Sequence, residues 1–493
     1  MKSFLRLTSF LLPFALCLLP TLVIRAQSSD YILTPTPGKI PRINGTTVFG
    51  VRPGSPVVFK IAATGEKPLK YEVLNLPVEL KLDSKTGIIS GRFSKEGIHI
   101  LKVRVSNKSG KAEKELTIKV GQTISLTPPM GWNSWNAFGE SVSQEKVKAV
   151  VQAMIDKGLV DHGWSYVNID DGWQGVRNAT GVLEPNDKFP DMKGLADWIH
   201  SQGLKFGIYS SPGPTTCLGL PGSWQYEEKD AATWSGWDID YLKYDLCSYK
   251  WDIFDKAGDT SQAAWMKPFL SMRKPLDAIP RDIIFSICSY NTIPWAAKVG
   301  ANLTRLLGDN RDEWKPISTS GSKVDKYWAH QKPGLWNDED LLVVGSSGGW
   351  EGKARPNHLT PDEQYFHMSL WSLLATPLFI SCDLASADDF TISLLSNDEV
   401  IEVNQDPLGK AGRLKISTPE YQVWVKELAD GTHAAGIFNL KNESQAINVK
   451  WSDLSIEGGI VRDLWKQKNM GKFSSEFKVE VPPHGVMLIK IFQ

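Results

Sequence analysis

The sequence lacks several features that particular classes of protein require. It has 55 basic and 55 acidic residues, so no excess of charge attracts nucleic acid and no block of like charge forms an interaction tail. Its five cysteines and eight histidines form no pair with the spacing of a zinc site. It contains no repeat of fixed period and no low-complexity segment. These absences favour a packed globular protein, and 493 residues predict two to four domains.

One long apolar run is present, and it lies near the N-terminus. Lys2 and Arg6 precede an apolar stretch from Phe10 to Ile24, and the small residue Ala26 precedes a polar segment. This pattern predicts a cleaved export signal over residues 1–26, with a retained membrane anchor as the alternative. No other segment approaches the roughly 20 apolar residues of a membrane helix. We therefore expect a periplasmic or extracellular protein with no membrane partner after cleavage.

Residues 27–121 have the character of short strands separated by turns. Segments 57–61, 80–82 and 98–105 alternate or run apolar, and Pro-Gly and Asp-Ser-Lys-Thr-Gly clusters separate them. The pattern predicts an immunoglobulin-like β-sandwich. The stretch from Leu82 to Gly91 resembles the Ig domains that precede many bacterial secreted enzymes. Its role could be spacing, docking on the rest of the chain, or glycan binding, and the lack of clustered aromatic residues favours the first two.

Residues 122–405 contain eight apolar runs that end in polar or aromatic residues. Segments of helical period lie between most of them, and in the one over 143–159 Ser143 and Glu145 are candidates for the helix cap. Strands that alternate with helices indicate a parallel sheet, and eight such units predict a (β/α)8 TIM barrel. The predicted strands are 130–135, 166–171, 205–210, 241–245, 283–290, 304–309, 335–340 and 377–383.

Residues 406–493 return to strand character. Apolar or alternating segments cover 422–428, 434–440, 446–450 and 486–491, and Gly-Thr and Pro-Pro-His-Gly breaks separate them. We predict a C-terminal antiparallel β-sandwich here. The predicted fold is therefore of the α/β class, a barrel flanked by two β-sandwiches.

Carboxylates are concentrated where the predicted barrel strands end. In a (β/α)8 barrel the ends of the strands face the active site. A ring of acids there could hold a metal, cap helices, or bind and cleave a sugar. Lys243 and Arg305 belong to the same mouth and favour the sugar site, because they hydrogen-bond hydroxyls and keep carboxylates ionised. The acids are Asp170, Asp171, Asp245, Asp309, Asp312 and Asp340.

Seven motifs in this region resemble those of glycoside hydrolase family 27, the retaining α-galactosidases or melibiases. Each motif is modest alone, but their order and spacing together make coincidence very improbable. They are Pro-Met-Gly-Trp-Asn-Ser-Trp at 129–135, Ile-Asp-Asp-Gly-Trp at 169–173, Gly-Leu-Lys-Phe-Gly-Ile-Tyr at 203–209, Leu-Lys-Tyr-Asp-Leu-Cys at 242–247, Trp-Asn-Asp-Glu-Asp at 336–340, Ala-Thr-Pro-Leu-Phe-Ile at 375–380 and Asn-Gln-Asp-Pro-Leu-Gly at 404–409.

The resemblance implies hydrolysis of terminal α-galactosides in oligosaccharides or polysaccharides, with no cofactor and no metal. Asp245 takes the position of the nucleophile and Asp309 that of the acid/base, with Asp312 as the runner-up. Lys243 is expected to lower the pKa of Asp245, and Asp309 is expected to be protonated while Asp245 is ionised. The residues expected to bind substrate are Trp135, Asp170, Asp171, Tyr209, Lys243, Ser289, Arg305 and Asp340.

The cysteines follow the same resemblance. Cys217 and Cys247 follow two successive strand ends, which brings them near each other, and they match a disulfide of the family. Cys288 and Cys382 are expected to be buried free thiols.

The sequence departs from the family pattern after the fifth strand, where the family's Cys-Glu-Trp is Cys288-Ser-Tyr here. A serine in place of the glutamate leaves room for an acetamide on C2, so α-N-acetylgalactosaminidase is an alternative. β-L-Arabinopyranosidase is another, although two aspartates at 170 and 171 favour a hexose. From a different class, the chain could be a non-catalytic glycan-binding protein.

Overall fold

The computed structural model describes residues 31–289 and 291–492, and all eight predicted barrel strands are present in it. The predicted export signal, 1–26, lies outside the described residues. The strands are β1 (Met130–Asn133), β2 (Tyr166–Asn168), β3 (Lys205–Ser210), β4 (Tyr241–Asp245), β5 (Ile284–Cys288), β6 (Leu303–Arg305), β7 (Trp336–Asp338) and β8 (Leu378–Ile380).

These strands form one parallel sheet in the order β7-β6-β5-β4-β3-β2-β1-β8. The gap between β7 and β8 is closed by Leu342, which pairs with Ile380 as a parallel bridge. The Leu342 amide donates to Phe379 O at 2.8 Å, and the Ser381 amide donates to Leu342 O at 3.3 Å. The sheet is therefore a closed eight-stranded barrel, as predicted.

The helix predicted over 143–159 is observed as Gln144–Asp156. The Ser143 side chain caps it by accepting a hydrogen bond from the Lys146 amide, and Val147, Val150 and Met154 face the core. The helix ends earlier than predicted because Gly158 adopts a left-handed conformation (φ 77°), after which Leu159–His162 form a 3-10 turn.

The connections between strands are helical, but they differ in length. After β5 the described chain forms only a 3-10 turn, Ala296–Val299, and a hairpin of Gln174–Arg177 and Leu183–Pro185 follows β2. Among the helices of the described residues, none has the length and apolar character needed to cross a membrane. The other α-helices are Trp135–Phe138, Met192–Ser201, Glu227–Gly236, Asp255–Ala257, Gln262–Ala278, Trp314–Val324, Pro361–Leu374, Asp389–Leu395, Asp398–Asn404 and Trp451–Leu454.

The tryptophans serve mainly to pack this core. Ten of the nineteen are almost completely buried, and they include Trp132 in β1 and Trp336 in β7. Tyr166, Tyr241 and Phe379, at or near the starts of their strands, fill the base of the barrel. The abundance of tryptophan is therefore explained largely by packing rather than by sugar binding.

The N-terminal region forms two β-sheets around their own apolar core. It docks on the end of the barrel where the strands begin. Arg52 donates from Nε to Asp282 Oδ1 at 2.6 Å and from its amide to Asp282 Oδ2 at 2.9 Å. The four-stranded sheet contains Val48–Val51, Gly110–Val120, Gly97–Asn107 and Lys70–Val73; the three-stranded sheet contains Pro56–Lys60, Ile88–Arg92 and Leu80–Leu82; Arg42–Ile43 pairs with Ala63–Thr64.

The C-terminal region is antiparallel throughout its described strands and forms a β-sandwich. One of its faces packs on the barrel helix Pro361–Leu374, where Phe438 and Trp465 contact Phe366 and Tyr365 at ring-centroid distances of 4.6 and 4.5 Å. The six-stranded sheet contains Arg413–Ser417, Tyr421–Glu427, His433–Asn439, Val486–Phe492, Gly459–Asp463 and Lys468–Phe473; the two-stranded sheet contains Gln445–Lys450 and Glu476–Val481.

Candidate active site

A cavity of about 450 Å³ opens at the end of the barrel where the strands terminate. Both predicted catalytic carboxylates line it, together with six of the eight predicted substrate-binding side chains. The folded chain therefore brings residues from six of the eight strand ends to one place. The lining residues are Trp135, Asn136, Asp170, Asp171, Tyr209, Cys217, Lys243, Asp245, Asp309, Asp340 and Leu341.

Asp245 is the last residue of β4 and lies inside the cavity. The Tyr209 hydroxyl donates a hydrogen bond to its Oδ2 at 3.3 Å. Burial raises the pKa of Asp245, and the positive charges of Lys243 and Arg305 oppose that effect without cancelling it. Lys243 therefore lowers the pKa of Asp245, as expected from its charge, but the desolvation of the carboxylate outweighs this effect and the net pKa is raised.

Lys243 makes its ion pair with Asp170 rather than with the predicted nucleophile. Its Nζ lies 2.8 Å from Asp170 Oδ2, which also accepts a hydrogen bond from Asn133 Nδ2 at 2.9 Å. Burial lowers the pKa of Lys243, but the carboxylates of Asp170 and Asp245 outweigh burial and raise it, so the lysine stays charged. The ammonium also lies over the Tyr209 ring, 5.2 Å from its centroid.

Asp171 is held by backbone donors. Its Oδ2 accepts from the Leu218 amide at 2.9 Å and its Oδ1 from the Gly172 amide at 3.0 Å. Burial raises its pKa to about 6 in spite of these hydrogen bonds. Asp170 and Asp171, both buried, therefore present two carboxylates with different hydrogen-bond partners to the same cavity.

A disulfide joins Cys217 and Cys247, as the sequence predicts, with a Cα–Cα distance of 5.1 Å. It ties the loop after β3 to the end of β4, and the Tyr209 hydroxyl lies 3.0 Å from Cys247 Sγ. Cys217, Cys247 and Asp245 offer atoms close enough together to hold a metal ion, but the two sulfurs are bonded to each other and are not thiolates. Of the other cysteines, Cys382 is buried and Cys288 is half-buried, and both are free thiols.

Asp309 lies at the mouth of the cavity, with 84% of its side chain exposed. Its Oδ1 accepts from Arg305 NH2 at 2.8 Å. Partial desolvation raises its pKa, but the charges of Arg305 and Lys243 and the Arg305 hydrogen bond prevail and lower it. The free protein therefore favours an ionised Asp309, whereas the expected reaction requires Asp309 to be protonated when Asp245 is ionised.

Arg305 forms ion pairs with one carboxylate at the mouth of the cavity and with another in its wall. Besides Asp309, it binds Asp340, whose Oδ1 lies 2.8 Å from NH1. Asp340 Oδ2 also accepts from the Asn310 amide at 2.6 Å. Burial raises the pKa of Asp340 to about 6 although the Arg305 charge lowers it. One guanidinium thus bridges two carboxylates of the site.

Asp312, the alternative acid, is used elsewhere. Its two oxygens accept from both terminal nitrogens of Arg355, at 2.5 and 3.1 Å, and from the His358 amide at 2.8 Å. It is buried and does not line the cavity. Of the two candidates for the acid/base, Asp309 and Asp312, only Asp309 therefore lines the cavity.

Two predicted substrate-binding residues lie outside the cavity lining. Arg305 lies behind Asp309 and Asp340, and Ser289 is not among the lining residues either. Among the described residues, Ser289 Oγ has no hydrogen-bond partner although it is buried.

Three contributing residues were missed from the sequence. Asn136 and Leu341 line the cavity, and Asn133 holds Asp170. All three stand within a few residues of a strand end, so the argument that selected Asp170 could have found them. What the sequence does not reveal is which of these neutral side chains turn inward.

Two family models match the chain over long segments. The one described as Alpha galactosidase A matches residues 127–406, and the one described as Alpha galactosidase C-terminal beta sandwich domain matches residues 418–491. The first covers the barrel and its cavity.

Individual proteins agree with these models. An alpha-galactosidase of Cyamopsis tetragonoloba is 37% identical over 73% of this chain and 85% of its own length. The solved structure of alpha-galactosidase I from Mortierella vinacea has a TM-score of 0.68 and 31% identity, and it covers 75% of this chain and 98% of its own. A Bacteroides fragilis structure, named as a candidate alpha-galactosidase/melibiase, has a TM-score of 0.87 and 34% identity over 95% of this chain and all of its own. The similarity to the last structure extends into the N-terminal region.

Proposed function

Since the chain belongs to the alpha galactosidase A family and hydrolyses terminal α-galactosides, we propose that Asp245 and Asp309 carry out this reaction by double displacement. The observation that carries the proposal is that both carboxylates line one cavity together with the cation of Lys243. Glycoside cleavage with retention needs such a pair, one to attack and one to protonate.

In the first step the Asp245 carboxylate attacks the anomeric carbon of the galactosyl group. The bond between that carbon and the leaving oxygen breaks, its electron pair stays on the oxygen, and Asp309 supplies the proton. The product of this step is a galactosyl ester of Asp245. The Tyr209 hydroxyl, 3.3 Å from Asp245 Oδ2, holds the carboxylate in position for the attack.

In the second step a water molecule replaces the first product. Asp309, now a carboxylate, takes a proton from this water, and the oxygen attacks the anomeric carbon. The ester bond breaks and Asp245 is regenerated as a carboxylate. Two displacements at the same carbon leave the released galactose in the α configuration.

The remaining polar groups bind the sugar. We assign Asp170, Asp171 and Asp340 to hydroxyl groups, since each keeps lone pairs that the contacts above do not use. Lys243 donates to a hydroxyl while it neutralises Asp170, and Trp135 and Tyr209 supply the apolar walls. The barrel interior beneath is filled by side chains, so only a terminal sugar enters, which supports an exo-acting enzyme.

For the whole chain we propose a cleaved signal at 1–26, an Ig-like sandwich at 27–121, the catalytic barrel at 122–405 and a C-terminal sandwich at 406–493. The disulfide suits the oxidising surroundings of an exported protein. The ion pair of Arg52 with Asp282 supports docking as the role of the N-terminal sandwich.

The assignment is tested with aryl α-galactoside, aryl α-N-acetylgalactosaminide and aryl β-L-arabinopyranoside. We expect turnover of the α-galactoside to dominate, and the Asp245→Asn variant to lose at least 10³-fold in kcat/KM because an amide is a poor nucleophile. Proton NMR of the galactose as it is released, before mutarotation, should show the α anomer. Preference for the acetamido sugar would instead make Ser289 the determinant at C2.

A matched variant separates chemistry from folding. Asp252→Asn removes another aspartate shortly after β4, one that pairs with Lys256 on the surface at 3.1 Å, so it should retain the activity of the wild type. If Asp245→Asn kept its activity, or if galactose were released as the β anomer, the proposed double displacement would be wrong.

A further inference from the structure

The loop after β7 packs against the segment that follows β1. An added Cβ on Gly349 would lie 1.6 Å from Ala137 O, and one on Gly139 would lie 2.7 Å from Trp350 Cα. Trp135 and Asn136, in the same segment as Ala137, line the cavity. Trp350 itself is not among the lining residues, but its backbone packs against Gly139, three residues after the lining residue Asn136.

Trp350 also contacts the loop that carries Asp309. The guanidinium carbon of Arg311 lies 5.0 Å from the centre of the Trp350 ring, and Arg311 follows Asp309 by two residues. Arg311 is exposed and Trp350 is half-buried. The indole and the guanidinium thus form a small surface beside the proposed acid. We call it the Trp350–Arg311 surface.

Strong contacts fix this surface in place. Arg355, on the β7 loop, binds both oxygens of Asp312 on the β6 loop, and its backbone pairs with Ser347 through hydrogen bonds of 2.9 and 2.8 Å. The ion pair couples the loop of Trp350 to that of Asp309 and Arg311. The surface and the acid are therefore held in one arrangement before substrate arrives.

The position of an acid/base defines the side on which the leaving group lies. Asp309 must reach the oxygen of the bond that breaks, so the exposed groups next to it face the leaving group and not the galactosyl ring. An aromatic face offers apolar area to the C–H face of a sugar ring, and a guanidinium offers donors to its hydroxyls. The Trp350–Arg311 surface combines both.

We propose that Trp350 and Arg311 bind the first sugar of the leaving group, so that the enzyme selects α-galactosides whose leaving group is itself a sugar. This proposal rests on the assignment of Asp309 as acid/base. It deepens the proposed function by naming two residues that would select galactosyl oligosaccharides over galactosides with small leaving groups.

Three substrates separate the contributions. Cleavage of α-galactosyl fluoride needs little help from an acid. Cleavage of methyl α-galactoside needs the acid, but its leaving group has no sugar ring. Cleavage of α-galactosyl-(1→6)-glucose needs the acid, and its leaving group is a sugar. Trp350→Ala should lower kcat/KM for the disaccharide about tenfold, mainly through KM, and change the other two less than about twofold. Trp350→Phe should recover part of the loss, since it keeps an aromatic face.

A matched control is Trp328, a second partly exposed tryptophan under an arginine, with Arg413 4.5 Å from its ring centre and no contact with the cavity. Trp328→Ala should turn over all three substrates like the wild type. Asp309→Asn should lose activity on the methyl glycoside and the disaccharide but keep the first step on the fluoride. If Asp309→Asn lost the same factor on all three substrates, the assignment of Asp309 as the acid would be wrong. The comparison of Trp350→Ala with the wild type would still test the binding of the leaving-group sugar.

The proposal is overturned if Trp350→Ala changes kcat/KM for the disaccharide and for the methyl glycoside by the same factor, whether or not that factor is one. It is also overturned if Trp251→Ala, which removes the exposed tryptophan of the loop after β4, causes the selective loss instead.

Discussion

Asp245 and Asp309 both lie at or beyond the ends of barrel strands, yet their surroundings differ. Burial raises the pKa of Asp245, whereas around Asp309 the effect of burial is outweighed by the charges of Arg305 and Lys243 and by the Arg305 hydrogen bond, which together lower the pKa. In the free enzyme the proposed nucleophile is therefore harder to ionise than the proposed acid. The form ready to react, with Asp245 ionised and Asp309 protonated, is a minority of the population.

This order of pKa values predicts a narrow pH profile. With methyl α-galactoside, kcat/KM should follow a bell on the acid side of neutrality, because Asp245 is protonated at low pH and Asp309 loses its proton as the pH rises. Protonation of Asp171 and Asp340, whose pKa values are both about 6, should add to the fall on the acid side. Initial rates from about pH 3 to 9 measure the profile.

The fluoride substrate is the internal control for that measurement. Its leaving group does not depend on a proton from Asp309, so the alkaline fall should disappear while the acid fall remains. A flat profile up to about pH 8 with the methyl glycoside would contradict the lowered pKa of Asp309.

At the scale of elements, the site depends on how the loops are tied to the strands. The disulfide fixes the loop after β3 to Cys247, which has an unusual backbone conformation (φ 34°) two residues beyond Asp245. The loop after β7 is tied to the loop after β6 by Arg355 and Asp312. These links hold cavity residues that come from different strands.

We predict that removing the disulfide weakens both stability and activity. A link that closes about 30 residues is worth about 3–4 kcal/mol of unfolding free energy in the chain-entropy model. The Cys217→Ala, Cys247→Ala double variant should lose up to that amount in denaturant titration. Its kcat/KM should fall because Cys217 lines the cavity and Tyr209 loses its contact with Cys247.

Reductant provides the comparison for this experiment. It should lower the activity of the wild type toward that of the double variant and leave the double variant unchanged, since Cys288 and Cys382 are already free thiols. A wild type that keeps its full stability and activity after complete reduction would refute the prediction.

At the scale of the whole molecule, the N-terminal sandwich covers the end of the barrel opposite the cavity. Arg52 makes several of the polar contacts there, with Asp282 and with the carbonyl oxygens of Ile279 and Arg281. The side chains of Arg52 and Asp282 are only 16% and 17% exposed. We therefore expect the sandwich to stabilise the barrel rather than to contact the substrate.

Arg52→Ala should accordingly lower stability and spare catalysis. Loss of the charged hydrogen bonds leaves Asp282 partly buried without its cation, which should cost roughly 1–3 kcal/mol of unfolding free energy. Calorimetry measures the loss, and kcat/KM should stay unchanged. Arg104→Ala is the control, since its pairs with Glu113 and Glu72 lie on an exposed sheet of the same sandwich and should matter little.

Much of the fold followed from the sequence because its signals are local. Apolar runs with helical segments between them gave all eight barrel strands, and β3 and β4 have the predicted bounds. The predicted runs at β1 and β2 were too long, since the chain leaves the sheet after Asn133 and Asn168. The polar residues after a strand end extend the sequence pattern from which the strand was predicted, but they lie outside the strand itself.

The sequence by itself determined which carboxylates stand at the strand ends, because the positions of strands and motifs are encoded locally and parallel strands end at one edge of a barrel. Only the tertiary structure decided how those groups are paired. Lys243 reaches Asp170 on another strand, 73 residues earlier, and Asp312 is taken by Arg355, 43 residues later. The partner of a long charged side chain depends on its distance from other charges in space and on the desolvation of both groups. These distances and the burial are set only when the strands assemble.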